Sequence, residues 1–170
     1  MRVLVTGGVR SGKSRHAETL LAGRRQVTYL APGPVPTADD PDWAARVAAH
    51  RARRPAHWTT VETTDLPAAL PTAGSALVDC LGTWLTAQLD ELDAWEWGAP
   101  PTFDARLDAL VAAVAAASDL VLVTNEVGLG VVPAHASGRL FRDLLGTVNQ
   151  RVGAVCDEVH LVVAGRVLRL

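Results

Sequence analysis

Cysteine is sparse in this chain: 170 residues hold Cys80 and Cys156, at no metal-ligand spacing and in apolar, strand-like contexts. That excludes a disulfide framework and a cysteine metal site, and it predicts buried thiols in a reducing compartment. A basic excess is missing too. Sixteen Lys plus Arg against eighteen Asp plus Glu give a formal charge of −2, which argues against a broad nucleic-acid platform. No apolar run approaches the roughly 20 residues that a membrane span needs. The first strand pattern opens at Arg2, so no signal peptide is expected. There is no internal repeat and no long linker, so residues 1–170 read as one cytoplasmic domain. What the chain does have is 49% hydrophobic and 20% charged residues, a composition that supports a packed core rather than disorder.

Short apolar runs alternate with helical patterns, the signature of an α/β fold with a mainly parallel sheet. Strands are expected at Arg2–Thr6, Val27–Ala31, Ala76–Asp79, Leu120–Thr124 and His160–Ala164, with weaker signals at Trp58–Val61 and Arg166–Leu170. Gly165-Arg166 between two apolar runs predicts a final antiparallel hairpin at one sheet edge. Helices are expected at Lys13–Ala22, Pro41–Arg53, Leu81–Leu92, Asp104–Ala117 and Ser137–Ala154. Trp95–Pro101, with Gly98, Pro100 and Pro101, reads as a loop.

The strongest motif follows the first strand at once: Gly7-Gly8-Val9-Arg10-Ser11-Gly12-Lys13-Ser14. It matches G-x-x-x-x-G-K-[ST] in the strand–loop–helix setting that a P-loop requires. Glycines let the loop turn tightly enough for its N–H groups to converge on phosphate oxygens. Lys13 can reach the β and γ phosphates, and the Ser14 hydroxyl can ligate Mg²⁺ brought in with the nucleotide. The following helix adds the positive end of its dipole. The expected fold is therefore a P-loop NTPase-type three-layer α/β sandwich. The motif alone does not choose among kinase, ATPase, GTPase or motor. Asp79, closing an apolar strand beside the P-loop, suits a carboxylate that orders Mg²⁺ through water, the alternative being an N-cap for the next helix.

The helix from Pro41 carries the second feature. At about 100° per residue, Trp43, Arg46, His50, Arg53 and Arg54 fall in one arc of roughly 100°, flanked by Arg51. No acid lies between Trp43 and Val61, while Asp39, Asp40 and Asp42 gather at the helix start, where the dipole favours them. A solvated basic face with an incidental histidine would look like this. So would a polyphosphate site in which His50 attacks the α-phosphorus of a nucleotide while arginines stabilise the developing charge. His16, His57, His135 and His160 have no metal-ligand partners at suitable spacing and read as packing or surface residues.

A third region starts where a strand runs into Asn125-Glu126-Val127-Gly128-Leu129-Gly130-Val131-Val132-Pro133, beyond a strand's carboxyl end, where open α/β sheets bind ligands. It reads either as part of the site or as a glycine-punctuated connection, with Arg139, Arg142 and Asp143 as ordinary charges of the helix that follows.

Together these motifs resemble the bifunctional adenosylcobinamide kinase/adenosylcobinamide-phosphate guanylyltransferase family. The likeness runs through Gly7–Ser14 with Arg15-His16-Ala17-Glu18, Tyr29-Leu30-Ala31, Arg46-Val47 with His50, Arg54-Pro55, Trp58 and Val61-Glu62. It continues through Asp79-Cys80-Leu81, Trp84-Leu85-Thr86, Thr124–Pro133, Arg139, Phe141-Arg142-Asp143, Gly146, Asn149-Gln150-Arg151 and Asp157-Glu158-Val159. It departs from the usual pattern at Pro32, Pro41-Asp42-Trp43, Gly82 and Ala87. The resemblance implies phosphorylation of adenosylcobinamide by ATP or GTP. Transfer of GMP from GTP through a GMP–histidine intermediate then gives adenosylcobinamide-GDP and pyrophosphate. It implies His50 as nucleophile and Lys13 as catalytic cation. The nucleotide site would comprise Gly7, Gly8, Val9, Arg10, Ser11, Gly12, Lys13, Ser14, Ala31, Pro32, Gly33, Arg51, Ala52, Arg53, Arg54, Glu62 and Asp79, with Ser14 and Asp79 near Mg²⁺. It also implies a homotrimer. Asp79 and Glu126 both remain candidates for the general base. A P-loop kinase for another small alcohol, or a nucleotide-binding regulatory module, is the alternative function.

Overall fold

The computed structural model describes residues 1–170. Its strands are β1 (Arg2–Thr6), β2 (Val27–Ala31), β3 (Thr59–Glu62), β4 (Ser75–Asp79), β5 (Asp119–Val123), β6 (Glu158–Val163) and β7 (Arg166–Arg169). The helices are α1 (Lys13–Leu20), α2 (Pro41–Arg53), α3 (Leu66–Ala69), α4 (Leu81–Glu91), α5 (Ala94–Trp97), α6 (Pro101–Ala116) and α7 (Ala136–Gly153). All seven strands form one sheet in the order β3-β2-β4-β5-β1-β6-β7. Every pairing is parallel except β6 with β7. That last hairpin turns on Ala164 and Gly165, both with positive φ, the geometry of a tight two-residue connection.

Alternation along the strands divides the apolar residues between two faces. Leu4, Leu30, Val78 and Leu122 join the helical layer of α3 to α7, with Trp84, Phe103 and Leu145. Val3, Val5, Tyr29, Leu77 and Val121 face α1, with Ala17 and Leu21. The arrangement is the α/β sandwich expected of the sequence. In contrast, α2 contributes no buried residue. It begins where Asp40 accepts from the Trp43 N–H at 2.9 Å and has Pro41 in its first turn, both standard initiation devices. It ends at Arg53, because Arg54 precedes Pro55 and takes an extended conformation, as a residue before proline must.

Three expectations need correction. Trp95–Pro101 is not all loop: Ala94–Trp97 makes one helical turn, closed at Gly98 with φ 85°. Pro101 starts α6 three residues before Asp104, since a proline loses nothing at the first helical position. The cysteines do not lie in strands. Cys80 caps α4 just beyond β4, and Cys156 lies in the turn between α7 and β6. Both thiols are free and only half-buried as residues; burial pushes Cys156 up to about 11.

Candidate active site

The carboxyl ends of β1, β2 and β4 open into one cleft of about 920 Å³, which α2 overhangs. This is the edge where ligands bind in open α/β sheets. Its floor is the P-loop. A Cβ on Gly7 would stand 2.4 Å from the Val162 carbonyl oxygen, so only glycine lets the end of β1 pass so close to β6. Gly12 and Arg10 take φ of 98° and 57°, the left-handed conformation that bends the loop into α1. The Gly165 N–H donates to the Ser11 carbonyl at 2.8 Å, and the Glu126 N–H to that of Gly7 at 3.2 Å, holding the loop from two sides. Lys13 Nζ donates to the Gly8 carbonyl at 3.1 Å. Burial lowers the Lys13 pKa and Arg46 lowers it further, while Cys80 and Asp79 pull the other way.

Above the loop sits a pair whose members the sequence singled out separately, His50 as a nucleophile and Asp79 as a carboxylate for Mg²⁺. His50 Nδ1 lies 3.2 Å from Asp79 Oδ2, with the histidine side chain 30% exposed and the carboxylate 8%. The same oxygen accepts from the Tyr29 hydroxyl at 3.0 Å. Burial pushes the Asp79 carboxyl up, but hydrogen bonds from His50, Tyr29 and Ser14 and the charge of His50 outweigh it, and the net shift is downward. A carboxylate on Nδ1 fixes which ring nitrogen carries the proton. A proton on Nδ1 would face Asp79 and leave Nε2 its lone pair. Asp79 is not the cap of α4, a place taken by Cys80.

The arginines divide into partnered and unpartnered groups. Arg51 pairs with Glu62, and Arg53 pairs with Glu18 at 3.1 Å. Arg54 sits outside the helix, its guanidinium carbon 3.4 Å from the centre of the Tyr29 ring, and donates to Thr60 Oγ1 at 3.0 Å. Arg10, Arg15 and Arg46 line the cleft with no carboxylate within ion-pair distance. Those three cations and Lys13 are the free positive charge a polyphosphate would meet.

Of the expected nucleotide-site residues, Val9 through Ser14, Ala31, Gly33, Arg51, Arg53, Arg54, Glu62 and Asp79 all line the cleft, as does His50. Gly7, Gly8, Pro32 and Ala52 do not. Gly7 is buried behind the loop against β6, Gly8 is exposed, Pro32 is buried, and Ala52 is exposed on α2. Tyr29, Thr83, Thr86, Phe141 and Gly165 line the cleft without having been singled out as site residues. Tyr29 reads as core in an apolar strand, and no local pattern marks its hydroxyl. Trp43 packs over Gly33, where a Cβ would stand 2.8 Å from the indole, and its Nε1 donates to the Pro34 carbonyl at 2.9 Å.

The segment after β5 is divided. Asn125 lines the cleft, and Asn149 on α7 ties it down, donating to the Asn125 carbonyl at 3.0 Å while accepting from Thr124 at 2.6 Å. Glu126 turns away and accepts from the Gly128 N–H at 3.1 Å. Arg139 donates to the Pro133 and Ala134 carbonyls, and Arg142 to that of Gly128. They clamp the loop rather than forming an ordinary charged helix face.

The donor set suits a divalent ion that arrives with a nucleotide. Ser14 and Asp79 both line the cleft at the P-loop, but nowhere do three or more His, Cys, Asp or Glu side chains gather to hold an ion unaided. No helix is long and apolar enough to cross a membrane.

Comparison with known proteins gives a consistent picture. The family described as cobinamide kinase / cobinamide phosphate guanyltransferase matches residues 3–170. The bifunctional adenosylcobalamin biosynthesis protein CobU of Salmonella typhimurium is 43% identical, with 97% of each chain covered. That of Escherichia coli is 41% identical at the same coverage. The bifunctional protein CobP of Pseudomonas aeruginosa is 41% identical over 97% of this chain and 94% of its own. Among solved structures, an ATPase from the type III secretion system of pathogenic bacteria superposes with a TM-score of 0.57 at 11% identity. It covers 94% of this chain and 50% of that one, a likeness of fold alone.

Proposed function

The chain belongs to the cobinamide kinase / cobinamide phosphate guanyltransferase family, and we propose that its cleft runs both reactions with His50 as the covalent relay. It is an enzyme of adenosylcobalamin biosynthesis with two activities, phosphorylation of cobinamide and guanylylation of cobinamide phosphate. The observation that carries the relay is the His50–Asp79 pair at 3.2 Å inside the P-loop cleft.

In the first reaction the P-loop amides, Lys13 and the dipole of α1 hold the β and γ phosphates of ATP or GTP, and the hydroxyl of adenosylcobinamide attacks the γ-phosphorus; the bond from that phosphorus to the β–γ bridging oxygen breaks, ADP or GDP departs, adenosylcobinamide phosphate forms and the hydroxyl proton passes to water. Phosphoryl transfer asks mainly for positioning and charge stabilisation. Asp79, which accepts from the Tyr29 hydroxyl at 3.0 Å and faces His50 Nδ1 at 3.2 Å, orients groups at the site. Mg²⁺ bound with the nucleotide, beside Ser14 and Asp79, would neutralise phosphate charge.

In the second reaction His50 Nε2 attacks the α-phosphorus of GTP. The bond to the β-phosphate oxygen breaks, pyrophosphate departs, and Nδ1–H stays on Asp79, which stabilises the developing imidazolium charge. Arg10, Arg15 and Arg46 supply cations to the leaving phosphates. A phosphate oxygen of adenosylcobinamide phosphate then attacks the histidine-bound phosphorus. The P–N bond breaks, adenosylcobinamide-GDP forms, and His50 Nε2 regains its lone pair.

Free Cys80 and Cys156 fit a reducing cytoplasm. The exposed apolar residues Val167 and Leu168 on the edge strand β7, with Val163 at the end of β6 and Leu170 just beyond β7, support the homotrimer, since an uncovered edge strand seeks a partner.

α-³²P-GTP should label the protein with a bond that is stable to base and labile to acid, and His50→Ala should abolish the label. A wild-type protein that binds GTP yet never acquires label would overturn the relay.

A further inference from the structure

Beside the imidazole of His50, three aromatic rings line the cleft: Tyr29, Trp43 and Phe141. Two of them are already engaged. Tyr29 is 1% exposed, and its face carries the Arg54 guanidinium, 3.4 Å from the ring centre. Phe141 stacks on Trp95 with the ring planes 22° apart. Trp43 has no ring and no guanidinium against it. It is half-buried and rests on bare backbone at Gly33, where a Cβ would stand 2.8 Å from the indole. Its Nε1 donates to the Pro34 carbonyl at 2.9 Å, which fixes one edge of the ring and satisfies its one polar group. Neither reaction described for the cleft gives this held ring a part.

Trp43 and His50 stand seven residues apart on α2, about two turns and ~10.5 Å along the axis, on the same side of the helix. Arg46, one turn before His50, belongs to the cations that meet the phosphates. With the α-phosphorus of GTP at His50 Nε2, an in-line displacement puts the leaving pyrophosphate opposite the attacking nitrogen. The ribose oxygen on that phosphorus then lies across the line of attack. The imidazole reaches from α2 to Asp79 on β4, so the nucleoside leaves sideways from that line, and the length of α2 offers it two directions. Toward the C-terminal end the space is taken by the Arg51–Glu62 and Arg53–Glu18 ion pairs and by Arg54 on Tyr29. Toward the N-terminal end stands the indole of Trp43, at the reach of a ribose and its base.

We propose that Trp43 is the stacking platform for the nucleobase of GTP, a binding residue that holds the nucleoside while its α-phosphorus faces His50. The proposal rests on the covalent-relay reading. An aromatic face recognises the plane of a base and not the pattern of its edge, so Trp43 supplies affinity for the purine, and the phosphates are held independently of it by the P-loop.

The test compares equilibrium binding of two probes to the whole chain in one magnesium buffer: GTP, and inorganic tripolyphosphate, which carries the phosphates and no base. Trp43→Leu keeps an apolar side chain over Gly33 and removes the aromatic face. Trp43→Phe keeps a face and loses the N–H that reaches Pro34. The leucine variant should raise the Kd of GTP about 5- to 150-fold, the range of base–aromatic stacking, and leave that of tripolyphosphate unchanged. The phenylalanine variant should recover most of the lost affinity. A second measurement covers a leucine variant that fails to fold. In protein grown on 5-fluorotryptophan, the Trp43 ¹⁹F resonance, identified by its absence from Trp43→Phe, should shift with GTP and stay in place with tripolyphosphate. Loss confined to the base-bearing probe, with that shift, would uphold the platform. Equal loss of both probes would mean that Trp43 merely braces α2, and it would overturn the proposal, as would wild-type GTP affinity in Trp43→Leu or a resonance that ignores the base. The relay stands in each of those cases. An unaltered enzyme that shows the expected binding pattern yet never takes label from α-³²P-GTP would overturn the relay and not the platform.

Discussion

At the scale of single residues, the site is a set of cations sorted by what they touch. Arg51, Arg53 and Arg54 are held by Glu62, Glu18 and Tyr29, whereas Lys13 meets only the Gly8 carbonyl. Lys13 is also the only lysine in the chain. Burial, the largest influence on it, lowers its pKa, so its neutral amine appears at lower pH than on an exposed lysine. Reductive modification with pyridoxal phosphate should therefore stop at Lys13 and the N-terminus. At Lys13 the rate should rise with a midpoint below the ordinary lysine value of about 10.4, and GTP should protect it. Peptide mapping of the modified protein checks this, and a lysine that reacts equally with and without GTP would contradict its place under the phosphates. The P-loop was legible because each residue in it answers to a local geometric need. His50 was half legible: its arginine setting showed in the helical periodicity, but its partner Asp79 is 29 positions further on. Tyr29 was not legible, because only a contact 50 residues away in sequence tells a working hydroxyl from a core phenol.

At the scale of elements, what the sequence revealed follows from length. The strands of the sheet and the five longer helices have enough residues to show a period, and their expected bounds lie within three residues of those observed. The one-turn helices α3 and α5 have four residues each, too few for any period to register. Pairing between elements was hidden for the same reason as the Tyr29 contact. His16 on α1 and His160 on β6, read separately as packing or surface residues, meet with Nε2 to Nδ1 at 2.8 Å. His160 in turn donates through Nε2 to Glu158 at 2.8 Å. With both rings neutral every ring nitrogen in the chain of contacts is matched: His160 gives its proton to Glu158 and accepts from His16. Burial, then the neighbouring His160 and Arg169, lowers the His16 pKa. The unfolded chain, with His16 near its ordinary value of about 6.5, takes up the proton first. Stability contributed here is full above that value and is lost as the pH falls below it. Glu158, drawn down chiefly by its hydrogen bond from His160, acts in the same direction, but only nearer the ordinary carboxylate range of about 4.3. Between pH 7.5 and 5.5 the wild-type melting temperature should therefore fall more than that of His16→Gln, whose amide can still donate to His160. Equal losses in the two proteins, measured by calorimetry, would remove this pair from the acid sensitivity.

At the scale of the whole molecule, the question is whether the chain unfolds as one body. Twenty-one buried residues form the core on one face of the sheet and eleven the core on the other, and every strand but the exposed edge β7 contributes to one or both, or packs against them. A side chain lost from either face should thus weaken both. Phe103, 1% exposed and 6.4 Å from the Trp84 ring, belongs to the larger core. Phe103→Ala should cost about 3–5 kcal/mol, a large part of the roughly 5–15 kcal/mol that holds a domain together. Two tryptophans report the faces separately: Trp84 in the larger core and Trp58 in the smaller. With 5-fluorotryptophan incorporated, their ¹⁹F resonances should disappear at a single urea concentration in the wild-type protein. In Phe103→Ala both should move to the same lower midpoint, although Trp58 lies across the sheet from the cavity. Should the Trp58 signal outlast that of Trp84, the two faces would be separate folding units, and residues 1–170 would no longer count as one domain. A common midpoint instead means that the P-loop on β1, the acid on β4 and the tyrosine on β2 keep their spacing only while the entire sheet stands. The cleft is then a property of the sheet as a whole, and damage to the core far from His50 should reduce label transfer in step with the fraction of protein unfolded.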